Sequence, residues 1–141
     1  MQQLTLTQAN QMIASALARA QEAGYRPMGV IVLDGAGHII AAQRQDGASM
    51  FRLDIARGKA WAAVGMGTSS RELTQRAKDL PHFFNALATA GQGKFIAQTG
   101  AVLVKDAQGR VLGAIGASGG TGDEDEAICI HGVLAAGLVA G

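Results

Sequence analysis

The stretch that decides the fold reads Gly109-Arg-Val-Leu-Gly-Ala-Ile-Gly-Ala-Ser-Gly-Gly-Thr-Gly-Asp-Glu-Asp-Glu126. Its apolar part, Val111 to Ala117, predicts a buried strand. The small residues from Ser118 to Gly122 predict a loop, in which other groups can approach the backbone because glycine has no side chain. Four acids, Asp123 to Glu126, then begin a helix. Loops that connect a strand to a helix in this way often carry function.

A nucleotide phosphate is excluded at this junction. Helix N-termini attract anions, but the four carboxylates already occupy this one and would repel a phosphate. The P-loop pattern needs Gly-Lys-Ser/Thr, and no lysine follows the loop. The spacing of Gly113, Gly116 and Gly119 does not match Gly-x-Gly-x-x-Gly either. Thr121 and Glu124 fit a capping box at the helix start.

The first half of the chain contains a repeat of this pattern. The apolar run from Val30 to Leu33, the turn residues 34–37 and the run 38–43 predict a β-hairpin. The same residue types recur at the same offsets in a second hairpin, which begins at Ala101 and turns at residues 106–109. A glycine loop and a helix follow each hairpin, so the chain contains two related units.

Five helical segments surround the two hairpins. The last helix is predicted to bury a stripe made of Ala127, Ile130, Leu134 and Leu138. Hairpins form antiparallel sheets, and helices of this length must cover a sheet to bury their apolar faces. The sequence therefore predicts one α+β domain over residues 1–141. It is an α-β-α sandwich, with an antiparallel sheet built from two β-hairpins and helices on both faces.

The second helix, from about Arg52 to Met66, is apolar around most of its circumference. A helix with this pattern is buried on two sides. In a chain of 141 residues, a subunit interface is a natural way to cover the second side. The sequence therefore predicts a homo-oligomer, a dimer or higher.

Composition and charge exclude several classes of protein. The formal net charge is +1 and no run of Lys or Arg is present, which argues against nucleic acid as a partner. The beginning of the chain has no basic region before an apolar run, and no stretch of about 18 apolar residues occurs, so we expect no signal peptide and no membrane partner. The one cysteine excludes an internal disulfide. We expect a cytoplasmic protein.

Several polar residues are candidates for a small-molecule site. Arg44 and Asp46 follow the second strand of the first hairpin, where they form either a turn or the rim of a pocket. Lys59 shares a helical stripe with apolar residues, and a buried lysine is rarely unpaired. It either pairs with Asp46 or Asp125 or holds an anionic ligand. We interpret the three histidines, His38, His82 and His131, as structural, and predict no metal site.

Two motifs resemble those of the GlcG/HbpS-like family, the haem-degrading domain. Gly113-Ala-Ile-Gly-Ala-Ser-Gly119, followed by Asp125-Glu126, is similar to one family signature. Arg44-Gln-Asp-Gly-Ala48, followed by Lys59-Ala60, is similar to another. The resemblance covers almost the whole chain in order. One loop differs, because members often have Pro-Gly-Gly where this chain has Ala97-Gln-Thr-Gly100, which indicates an altered pocket.

The resemblance implies a profilin-like fold and a small-molecule-binding function, with haem or a related tetrapyrrole as the ligand. The implied basic rim for the haem propionates consists of Arg44, Arg52 and Lys59. Other ligand-binding residues that we predict are Asp46, Ser118, Gly119, Asp125 and Glu126.

A second interpretation is a cofactor-free isomerase, hydratase or lyase that acts on a small carboxylate in a catabolic pathway. In that enzyme Lys59 or Arg44 would hold the acid, and Glu126 or Asp125 would move a proton. Our candidate catalytic residues are Lys59 and Glu126. The low aromatic content, 4% of the chain, argues against haem, because a flat macrocycle usually contacts aromatic rings. The family resemblance keeps the binding function ahead of the enzyme.

Overall fold

A computed structural model of the chain describes residues 3–141. Five helices and five strands follow one another along it. Their bounds are α1 (Leu6–Glu22), β1 (Gly29–Asp34), β2 (Ile39–Arg44), α2 (Phe51–Met66), α3 (Ser70–Asp79), α4 (Pro81–Ala90), β3 (Ala101–Lys105), β4 (Val111–Ser118), α5 (Gly122–Ala135) and β5 (Val139–Ala140). Both predicted hairpins are present, and the predicted α+β class is confirmed. The short strand β5 was not predicted.

The strands form one antiparallel sheet in the order β2-β1-β4-β3-β5. Alternate residues of β1 show how its two faces are covered. Val30 and Val32 pack in a core with α1 and α5, whereas Ile31 and Leu33 pack against the alanines of α2. The helices therefore cover both faces of the sheet, as the sandwich prediction requires.

The turns of the two hairpins contain equivalent hydrogen bonds. In the first turn, Oδ1 of Asp34 accepts hydrogen bonds from the amides of Ala36 and His38, both at 2.9 Å. In the second turn, Oδ1 of Asp106 accepts from the amides of Gln108 and Arg110, also at 2.9 Å. Each aspartate thus closes its own turn. The backbone contacts of Asp106, and then its contact with the Arg110 side chain, hold the pKa of this carboxyl below its usual value.

Helix α2 is buried on two sides, but its own chain supplies the second cover. Ala62 packs in a cluster with Phe84 and Phe95, and Ile96 lies so close to Gly58 that a Cβ there would be 2.5 Å from its side chain. The apolar circumference of α2 therefore gives no reason for a subunit interface. The homo-oligomer stays a prediction without that support.

The buried face of α5 differs from the predicted stripe. Its buried residues are Asp125, Ile128, Cys129, Gly132 and Val133, while Leu134 is 59% exposed. The reason is the close approach of α1, because a Cβ on Gly132 would lie 2.5 Å from the carbonyl oxygen of Met12. Contact with α1 therefore fixes which side of α5 faces inward. The predicted stripe was wrong at Ala127 and Leu134, which are exposed, whereas Ile130 and Leu138 are partly buried against the core.

No helix in the described part of the chain, residues 3–141, is both long and apolar enough to cross a membrane.

Candidate functional site

Both predicted glycine loops begin at the same end of the sheet, where β2 and β4 finish. Gly29, the first residue of β1, pairs with Arg44 at the end of β2 and with Ser118 at the end of β4. The loops that follow β2 and β4 therefore begin on either side of one strand. A cavity lies beside each of them.

A buried ion pair lies next to the end of β4. The Nζ atom of Lys59 donates to Oδ2 of Asp125 at 3.0 Å and to the carbonyl oxygen of Ala117 at 3.1 Å. Lys59 is 4% exposed and Asp125 is 1% exposed. The predicted pairing of Lys59 with Asp125 is thus the one found in the structure, and Asp46 takes no part in it.

Close packing of α2 on β4 brings this lysine to the sheet. A Cβ on Gly116 would lie 2.3 Å from the carbonyl oxygen of Ala56, so the helix backbone rests on the strand. Gly100 leaves room for the ammonium group, since a Cβ there would lie 2.6 Å from Nζ of Lys59. The φ angle of Gly100 is +140°, which also favours glycine.

Asp125 has a second partner in the glycine loop. Its Oδ1 atom accepts a hydrogen bond from the Gly120 amide at 2.9 Å. Burial raises the pKa of the Asp125 carboxyl above its usual value, while Lys59, the Gly120 amide and Arg52 act in the opposite direction. The carboxyl is therefore fixed in position and holds its proton more readily than an exposed aspartate.

A cavity of about 290 Å³ opens above this pair. Nη1 of Arg52 donates to the Ser118 hydroxyl at 3.1 Å on its wall. Within residues 3–141, no carboxylate lies within salt-bridge distance of Arg52. The lining consists of Arg52, Ile55, Lys59, Gln98, Thr99, Ser118, Gly120, Gly122 and Asp125. With two cations and one carboxylate, it has one positive charge in excess. We call it the Arg52 cavity.

Burial increases along α2 from the mouth of the Arg52 cavity to its floor. Arg52 is partly exposed, Ile55 follows one turn later, and Lys59 is buried. These three residues share one face of the helix, because their spacing is three and four. Gln98 and Thr99 come from the loop that departs from the family pattern, and they line the same cavity. The sequence indicated that this loop alters the pocket but did not identify either residue.

Glu126 does not line the Arg52 cavity. Both of its carboxylate oxygens accept hydrogen bonds from Nε of Arg71 on α3, at 3.1 and 3.0 Å, and Asp123 also pairs with Arg71. The bonds to Glu126 and then to Asp123 raise the pKa of the Arg71 guanidinium. The structure therefore does not bring together Lys59 and Glu126, our candidate catalytic pair.

Three other predicted site residues also lie outside the Arg52 cavity. Arg44 and Asp46 line a separate cavity of about 550 Å³ beside the end of α1. Gly119 packs against Pro27 and Met28, and a Cβ there would lie 2.3 Å from the Pro27 carbonyl oxygen. Its φ of +155° and this close contact give Gly119 a structural reason to be glycine.

The residues that usually bind metals are scattered. His38, His82 and His131 are all exposed. Cys129 is buried and its thiol donates to the Gly100 carbonyl at 3.6 Å, and burial raises its pKa. The described residues 3–141 contain no group of three or more His, Cys, Asp or Glu that could hold a metal ion.

The chain is similar to known proteins over most of its length. Residues 4–134 match the family model described as haem degrading protein HbpS-like. A 15.0 kDa protein from the dhaT-dhaS intergenic region of Citrobacter freundii is 30% identical over 122 residues, which covers 86% of this chain and 84% of that protein.

Two solved structures have the same fold. The PduOC:heme complex superposes with a TM-score of 0.86 at 26% identity, and the match covers 97% of each chain. The ORFY protein of Klebsiella pneumoniae gives a TM-score of 0.87 at 28% identity, covering 97% of this chain and 92% of that one. Because the family model matches residues 4–134 of this chain, the chain belongs to the HbpS-like haem-degrading protein family.

Proposed function

We propose that the Arg52 cavity binds a carboxylate group of a small organic ligand, and that the ligand is haem or a related tetrapyrrole. The observation that carries the proposal is the excess positive charge of the lining. Lys59 is neutralised by Asp125, whereas the partner of the Arg52 side chain among residues 3–141 is the neutral Ser118 hydroxyl. A carboxylate would complete the charge balance and could accept two hydrogen bonds from the guanidinium fork.

Haem is the preferred ligand because of the relatives. The family model is described as a haem degrading protein, and PduOC, a structural relative, was crystallised as a haem complex. Haem has carboxylate side chains, its propionates, which match the charge of the Arg52 cavity. This support is by similarity, and the charge balance of this chain's own residues agrees with it.

The dimensions of the Arg52 cavity limit how haem could be held. Its volume of about 290 Å³ is just below the roughly 300–1,000 Å³ typical of sites for drug-sized ligands. It therefore fits a propionate arm, and the flat ring would lie outside its mouth. Arg52 and Ser118 would hold the propionate. The described lining contains no His, Cys, Met or Tyr to ligate iron. Bound haem would supply its own redox and ligand-binding chemistry.

Haemin titration tests the proposal. The unaltered protein should shift the Soret band with a one-to-one end point. Arg52→Ala should weaken haemin binding by about tenfold to a hundredfold, because a hydrogen bond to a charged group contributes roughly 1.5–3 kcal/mol. Arg44→Ala is the matched control. It removes the same charge from the other cavity and should change the affinity by less than about threefold.

Two results would contradict the proposal. One is a spectrum identical to that of free haemin for the unaltered protein. The other is a larger loss of affinity for Arg44→Ala than for Arg52→Ala, which would assign the ligand to the 550 Å³ cavity instead.

The buried pair favours a second candidate function, a cofactor-free enzyme acting on a small carboxylate. Asp125 lies at the floor of the Arg52 cavity and has a raised pKa, as a general base often does. Asp125 would accept a proton from the carbon beside the substrate carboxylate, and Arg52 would hold that carboxylate. Proton NMR in deuterated buffer tests this, since the enzyme would exchange that carbon-bound hydrogen and Asp125→Asn would not. No exchange with a panel of small carboxylates would remove this candidate.

A further inference from the structure

We infer that Phe51, together with Met50, forms the surface on which the flat apolar body of the ligand rests while its carboxylate occupies the Arg52 cavity. The inference rests on the proposed function and adds the residues that would select a ring-bearing carboxylate over a small one. It is argued from an exposed aromatic residue that adjoins Arg52 in sequence and shares a helix face with Ile55, a residue of the cavity lining.

Two large apolar side chains at the start of α2 are exposed. Met50 is 74% exposed and Phe51 is 56% exposed, although both are large and apolar. They immediately precede Arg52, whose guanidinium lies on the wall of the cavity. Met50 has helical backbone angles, and the side-chain hydrogen bond at the start of α2 comes from Ser49, whose hydroxyl accepts from the Phe51 amide at 3.3 Å. Local helix stability therefore does not explain this residue.

The position of Phe51 on α2 sets the direction of its side chain relative to the Arg52 cavity. Phe51 and Ile55 are four residues apart on α2, so they share one face of the helix, and Ile55 lines the cavity. Side chains on a helix lean towards its N-terminus, which places the Phe51 ring beyond Arg52 and away from the buried floor at Lys59. A ligand whose carboxylate reaches Arg52 would thus extend over Phe51.

The chemistry of the two parts selects the ligand class. A phenyl ring favours offset stacking with a flat ring, and a thioether packs well against aromatic faces. A small aliphatic carboxylate would fit inside the cavity, whose lining includes neither of these side chains. The ligand class is therefore a flat, largely apolar ring with a short carboxylate arm.

Two probes, haemin and propionate, test the inference on the intact chain. Phe51→Ala should raise the dissociation constant of haemin about tenfold, because it removes the burial of one phenyl ring. The control is Phe83→Ala, which removes a similarly exposed phenylalanine, 52% exposed, on α4 and outside the cavity lining. This variant should change the dissociation constant of haemin by less than twofold. Propionate binding, followed through the Gly120 amide by NMR, should be the same in both variants and in the unaltered protein.

The outcomes separate the inference from the function on which it rests. If the unaltered protein binds haemin and Phe51→Ala binds it equally well, or loses no more affinity than Phe83→Ala, the inference alone is overturned. Loss of propionate binding in Phe51→Ala would overturn it as well, because Phe51 would then shape the cavity itself. If the unaltered protein binds propionate but not haemin, the tetrapyrrole proposal fails and the inference fails with it.

Discussion

Replacing Lys59 with methionine is expected to lower the free energy of unfolding by about 3–5 kcal/mol. Methionine retains much of the apolar contact of the lysine stem, but it leaves the Asp125 carboxylate buried without its cation. Asp125 is 1% exposed, and its remaining hydrogen bond within residues 3–141 would be the one from the Gly120 amide. Removing one partner of a buried pair costs more than removing both, because the remaining charge is not compensated.

Urea unfolding of a double-mutant cycle measures this effect. Asp125→Asn keeps the shape and removes the negative charge, so the double variant with Lys59→Met contains neither charge. It should be more stable than the sum of the two single losses predicts, by at least about 1 kcal/mol, within the range measured for contacting residues. Additive losses, or a loss below about 1 kcal/mol for Lys59→Met, would show that the pair is not coupled as the structure indicates.

Gly116→Ala is expected to destabilise the protein by about 3 kcal/mol, even though alanine is the smallest possible replacement. The new Cβ would lie 2.3 Å from the Ala56 carbonyl oxygen, and helix backbone cannot move away as a flexible side chain can. Helix α2 would have to shift from β4. Because α2 carries Arg52 and Lys59 while β4 ends at Ser118, the same shift should also weaken ligand binding.

Gly65→Ala on α2 is the matched control for this variant. Nothing lies within 4 Å of a Cβ at Gly65, so this substitution should raise stability by about 0.5–1 kcal/mol through helix propensity. Thermal or urea unfolding compares the two variants. Equal stabilities for the two proteins would show that α2 does not rest on β4 at Gly116.

Local sequence patterns predicted the order of the elements well. The strand, glycine loop and acidic helix start between Val111 and Glu126 depend on neighbouring residues, and the structure has all three. The capping box of Thr121 and Glu124 is also present. By contrast, the predicted buried stripe of α5 was wrong at Ala127 and Leu134. Apolar residues occur on several sides of α5, and contact with α1, distant in sequence, determines which side is inside.

The candidate site was predicted in part for a similar reason. Lys59 on an apolar stripe indicated a buried partner, and Asp125 was one of the two proposed. Asp125 and Glu126 could not be separated by residue type, because both are acids in the first turns of one helix. Adjacent helical residues differ in direction by about 100°, so only one of them can face the sheet. The structure turns Asp125 inward and Glu126 towards Arg71.

A crystal structure of the protein soaked with haemin would show directly whether the ligand carboxylate binds in the Arg52 cavity. We expect a propionate within hydrogen-bond distance of the Arg52 guanidinium and the Ser118 hydroxyl, with the ring over Phe51. A propionate bound instead beside Arg44 and Asp46, with no atom near Arg52, would contradict the assignment of the Arg52 cavity as the carboxylate site.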